Sequence, residues 1–179
     1  MARIVYFDTS VFIELAKPKS SIAKELRGLL KELEEEKARI YTSIITVQEM
    51  SVAVYRRGAK SKDTYGDIHQ LARIYAVNKD VALTAAHREA ELKDIAEKQQ
   101  TGGKPTEDQR IETICENRKR RWDCFHIATA QTIGCTVMYS TDGKLQDRPK
   151  QLGIHDLKIV APRPTPRSVA GPLFGNGAG

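Results

Sequence analysis

The chain is expected to fold as an α/β protein, a three-layer α/β/α arrangement around a mostly parallel central sheet. Three observations lead there. Short runs of β-branched and aromatic residues, beginning with Ile4-Val5-Tyr6-Phe7, are separated by longer stretches whose apolar residues recur at helical spacing. Strands that alternate with helices are joined by crossovers, which makes the strands parallel and the connections right-handed. A length of 179 residues suits one domain with a real core and falls short of two.

Each element follows from local pattern. Residues 4–7 form a short buried strand that runs straight into Asp8, Thr9 and Ser10. Val11, Phe12 and Leu15 make one face of a short helix that Pro18 should end. Ser20 or Ser21 can cap the next helix, in which Ile22, Leu26, Leu29, Leu30 and Leu33 keep helical spacing and Glu34, Glu35 and Glu36 face water. A second strand is read at 38–42. Thr46-Val47-Gln48-Glu49 then opens a helix carrying Met50, Val52, Ala53 and Val54, which Gly58 should end.

Ser61 is expected to cap a helix over 62–76 through Ile68, Leu71, Ala72 and Tyr75. A weak strand at 81–83 follows, and Thr84 caps another helix. Thr101-Gly102-Gly103-Lys104-Pro105 reads as a loop. Thr106-Glu107-Asp108-Gln109 has capping-box spacing, with Ile111 and Ile114 on the inner face of a segment closed by Arg118-Lys119-Arg120-Arg121. A new helix, rich in small and apolar residues, is expected from Trp122, with Gly134 as its C-cap. Strands at 135–139 and 157–160 complete the sheet. From Ala161 onward prolines and glycines take over, so the domain is expected to occupy 1–160 and a disordered tail 161–179.

Composition narrows the class. Hydrophobic residues at 40% and charged residues at 29% suit a soluble globular protein. No apolar run is long enough to span a membrane, and Asp8 and Glu14 interrupt any secretory core, so a cytoplasmic location is expected. Cys115, Cys124 and Cys135 are widely spaced and odd in number, which favours free thiols. The formal net charge of +6 makes a polyanion a reasonable partner, although charge alone is a weak signal.

A parallel sheet gathers strand ends and helix starts on one edge, where ligands bind. Asp8 ends a strand, Asp142 follows another, Glu49 lies just after the second strand, and Asp123 is expected to open the helix returning to the strand at 135–139. All four fall on that edge. Crowded carboxylates repel, so either some keep a proton or a cation holds them, and magnesium or manganese suits such oxygen donors. Each acid also has a structural reading. Glu49 suits a capping box with Thr46 about as well, Asp123 suits a helix dipole, and Asp142 before Gly143 suits an ordinary turn. Asp8 has no comparable explanation. Thr9, Ser10 and Ser140 stand beside the acids, and Ser10 is read as orienting a carboxylate or a water. His126, alone in an apolar helix, reads as a packed core histidine and stays outside the catalytic set. Arg118, Lys119, Arg120, Arg121, Lys144 and Arg148 are candidate phosphate contacts or, equally, solvated surface.

The ordered set Val5-Tyr6-Phe7-Asp8-Thr9-Ser10, Ser43-Ile44-Ile45-Thr46-Val47-Gln48-Glu49, Asp123-Cys124-Phe125-His126-Ile127-Ala128-Thr129-Ala130 and Ser140-Thr141-Asp142 resembles the PIN domain, the nuclease fold of VapC-type toxins. The match runs from residue 4 to residue 160. It implies a PIN-like, metal-dependent endoribonuclease in which Asp8, Glu49, Asp123 and Asp142 hold one or two magnesium or manganese ions for hydrolysis of an RNA phosphodiester. It also implies homodimers and, for a toxin, a small antitoxin that blocks the acidic groove. The stretch 57–121 is long for the compact toxins, which leaves open another PIN branch, such as an RNA-processing nuclease. A haloacid-dehalogenase-type phosphatase would need an Asp where Ser10 stands, and a receiver domain would need paired amino-terminal acids. The rival from another class is a non-catalytic RNA-binding or assembly protein on the same fold.

Overall fold

The computed structural model describes residues 2–17, 19–56, 58, 63–99 and 106–163, and the structural features below belong to these. Pro18, Ser61, the loop at 101–105 and the tail from 164 lie outside them. Five strands form one sheet: β1 (Ile4–Phe7), β2 (Arg39–Ser43), β3 (Arg73–Tyr75), β4 (Val137–Tyr139) and β5 (Lys158–Val160). Their spatial order is β3-β2-β1-β4-β5 and every pair is parallel. The chain moves outward from β1 to β3, then returns to lay β4 on the other side of β1. That reversal puts the switch point of the sheet between β1 and β4.

Alternation along β1 builds two core layers. Val5 and Phe7 pack with Val11 and Phe12 of α1 (Thr9–Leu15) and with Leu26, Leu29 and Leu33 of α2 (Ser21–Glu35). α4 (Thr64–His69) joins this side through Ile68, and α3 (Ile44–Arg56) through Val47 and Met50. Tyr6 faces the opposite layer, made by α5 (Lys79–Gln99), α6 (Glu107–Ile133) and α7 (Gly143–Gln151). A sheet covered on both sides explains why its central strand is a continuous apolar run. Among the described residues no helix is long and apolar enough to cross a membrane.

Caps match the sequence where the chemistry is local. Ser20 caps α2 by accepting from the Ala23 amide, and Gly134 closes α6 with φ of 78°. Gly58 also has positive φ, two residues past the end of α3. Three expectations are corrected. The helix over 62–76 stops at His69, and 73–75 is the edge strand β3, because Ile74 and Tyr75 pack on opposite faces and Leu71 is exposed. The strand at 81–83 and the cap at Thr84 do not exist; both stretches lie within α5, where the side chain of Asn78 accepts from the Val81 amide.

The third correction matters most for function. No helix begins at Trp122, because α6 runs unbroken for 27 residues, about 40 Å, with no glycine or proline inside it. Its composition changes at residue 122 because the helix passes from solvent onto the sheet. Ile111 and Ile114, expected on an inner face, are 56% and 61% exposed on the outer half of that helix.

Burial separates two residues of α2 that share the same apolar pattern: Leu26 is fully buried and Ile22 is 37% exposed. Leu26→Ala is expected to cost about 3 kcal/mol in urea unfolding and Ile22→Ala no more than about 1 kcal/mol. Equal losses would contradict this packing.

Candidate active site

Asp8 follows β1 at the switch point and is only 4% exposed. Ser10 Oγ donates to its Oδ1 at 2.7 Å, and Ser140 Oγ donates to its Oδ2 at 3.0 Å from across the β1/β4 crevice. The same hydroxyls accept from the Thr141 and Asp142 amides at 2.8 and 3.0 Å. Burial pushes the Asp8 carboxyl up, opposed by the nearby His126 and the two serines.

Glu49 sits in α3, and its Oε2 takes a short hydrogen bond from the Thr9 hydroxyl and lies 3.3 Å from His126 Nε2. Burial raises this carboxyl, but the bonds from His126 and Thr9 outweigh it and hold Glu49 below the usual range. The capping-box alternative fails here. Thr46 is inside the helix, bonded to Thr42 Oγ1 at 2.8 Å, and the Glu49 carboxylate is given to Thr9 and His126.

Asp123 stands in the middle of α6, so it neither opens a helix nor complements a helix dipole. It reaches the carboxyl edge because a 27-residue helix carries its central turns past the strand ends. Its Oδ2 accepts from Arg148 Nε and Nη2 at 3.3 and 3.4 Å. Burial lifts the Asp123 carboxyl to about 6 against the pull of Arg148, and the charge of Asp142 adds to the lift. Asp142 itself is exposed and caps α7, its Oδ1 accepting from the Lys144 and Leu145 amides.

The basic candidates divide. Arg148 is half-buried on Asp123, Lys144 pairs with Glu116 at 2.6 Å, and Arg121 pairs with Glu89 at 3.3 Å. Arg120 is half-buried with an Nε that finds no partner among the described residues, whereas Arg118 and Lys119 are exposed. His126, read as a packed core histidine, is 3% exposed as expected, and its hydrogen bonds with Tyr6, Thr9 and Glu49 are contacts the sequence does not give. Its spacing one turn after Asp123 was the available signal. As a donor set, four carboxylates flanked by hydroxyls fit a hard divalent cation. Among the described residues, however, no three His, Cys, Asp or Glu side chains converge as a cage.

Fold and site together define a parallel α/β protein with an acidic edge at its switch point. The PIN domain family model matches residues 5–151, and the chain belongs to the PIN domain family. No curated protein matches the sequence. The fold is similar to VapBC-1 from nontypeable Haemophilus influenzae, with TM-score 0.52 and 16% identity over 88% of this chain and 97% of that one. It is also similar to a toxin-antitoxin complex from Klebsiella pneumoniae, with TM-score 0.52 and 18% identity over 90% and 99%. VapBC2 from Rickettsia felis, bound to a DNA fragment from its promoter, gives TM-score 0.53 and 13% identity over 88% and 98%.

The raised Asp123 carboxyl sets a pH dependence. Its folded value of about 6 lies above the ordinary 3.8, so in that window the folded chain holds a proton that the unfolded chain releases. Ion-free protein should therefore gain stability as pH falls from 6 toward 4, by on the order of 2 kcal/mol from this group. Asp123→Asn should remove that slope in urea titrations at a series of pH values; an unchanged profile would contradict it.

Proposed function

We propose that this PIN-domain chain is a metal-dependent endoribonuclease and the toxin of a type II toxin-antitoxin pair. The observation that carries the reading is the buried Asp8 carboxylate at the β1/β4 switch point, in a chain of this family, with three further acids on the same edge. Asp8, Glu49, Asp123 and Asp142 would hold magnesium or manganese, which supplies a Lewis acid for hydrolysis of an RNA phosphodiester.

The chain's own residues prepare that site. Ser10 and Ser140 fix both oxygens of Asp8, and Thr9 fixes Glu49. Arg148 pairs with Asp123 and would have to yield it to an ion held there. Arg118 and Lys119, exposed on α6 ahead of Asp123, would meet RNA phosphates, while Lys144 and Arg121 would first leave their acid partners. Solved structures of similar fold that are toxin-antitoxin complexes support a small antitoxin as partner. A homodimer and a cytoplasmic location belong to the same reading.

One observation favours a non-catalytic RNA-binding module instead: no three acids among the described residues converge as a cage. Cleavage of RNA by purified protein separates the two. Magnesium or manganese should support cutting, EDTA should abolish it, and Asp8→Asn or Glu49→Gln should each lower the rate at least about 100-fold with the fold intact. RNA binding without cutting would favour the binding module, and equal activity in wild type and both variants would remove the acids from the reaction.

A further inference from the structure

His126 is buried on α6 with its two ring nitrogens facing different elements. Nδ1 lies 2.7 Å from the Tyr6 hydroxyl, which comes from the middle of the central strand. Nε2 lies 3.3 Å from Glu49 Oε2 and 3.3 Å from Thr9 Oγ1. An ionised carboxylate only accepts, so the proton in the contact with Glu49 must sit on Nε2. In a neutral imidazole Nδ1 is then an acceptor, and Tyr6 must donate to it.

With the imidazole neutral, direction runs one way, from Tyr6 to His126 to Glu49. Thr9 donates to the same Oε2 from the first turn of α1. Two donors from two elements hold one oxygen, and among the described residues no protein donor takes Oε1.

We propose that His126 is a positioning residue for Glu49: the Tyr6 hydroxyl locks the imidazole as its Nε2–H tautomer, and that N–H fixes the Glu49 carboxylate with Oε1 left for a metal ion. The proposal rests on the metal-site reading above. It does not make His126 a catalytic residue, because its polar contacts are with Tyr6, Thr9 and Glu49.

Two measurements test it. In ion-free protein, long-range proton–nitrogen NMR of the His126 ring should show the proton on Nε2 and an acceptor-type Nδ1, whose resonance moves in Tyr6→Phe. A proton on Nδ1 overturns the proposal. Manganese affinity, read by electron paramagnetic resonance of free Mn2+, should be nearly kept in His126→Gln, whose amide places an N–H near the Nε2 position. It should weaken about tenfold or more in His126→Asn, whose shorter side chain reaches only the Nδ1 position. Equal affinity of the two variants overturns the positioning role, and the NMR result on wild type stands even if a variant fails to fold. Absence of manganese binding by wild type would instead overturn the metal-site reading and, with it, the metal-positioning role, while the tautomer still decides whether His126 orders Glu49.

Discussion

Everything at the carboxyl edge depends on how one buried carboxylate is held across the gap between β1 and β4. Removing an ionised carboxylate from water costs several kcal/mol unless its oxygens find donors. Asp8 finds Ser10 in the helix it precedes and Ser140 just past the end of the neighbouring strand. Both hydroxyls also accept from amides of the turn that carries Asp142, so each serine is used as donor and acceptor at once. The clamp ties the end of the central strand to the start of α7, and Gln146 of that helix returns a bond to the Ser140 carbonyl. Such a shared arrangement fixes two of the four acids relative to each other before any ligand is present.

On the other side of Asp8 the polar groups form a second continuous network. Thr42 donates to the Phe7 carbonyl, Thr46 meets Thr42, and Thr9 stands between Thr46, Glu49 and His126. Thr42, Thr46 and Thr9 are all buried, so their hydroxyls must be satisfied inside the protein. A half-made network would be worse than an apolar core. This explains why a stretch that reads as helix start and strand end is so rich in threonine.

The fold class was legible because it rests on alternation of strands with helices and on a buried central run, both written directly in apolar spacing. Asp8, Glu49 and Asp142 follow β1, β2 and β4, the positions their strand contexts predict. Asp123 was placed near the site for the wrong reason: a change of composition at Trp122 looked like a helix boundary, whereas it marks where one long helix leaves solvent. β3 was missed because Ile68, Leu71, Ala72 and Tyr75 happen to keep helical spacing, and only the pairing with β2 reveals the strand. Ion pairs such as Arg148 with Asp123, and the hydrogen bonds of His126, join distant segments that no local pattern encodes.

On the reading proposed above, the acids on this edge form one cation site. Paramagnetic broadening by manganese, followed on the amide resonances of the whole chain, tests it most directly. A single shared site predicts broadening centred on Asp8, Glu49, Ser140 and Asp142 and on the turn of α6 around Asp123. Broadening centred instead on the acidic face at Glu34, Glu35 and Glu36, or none at all, would contradict it.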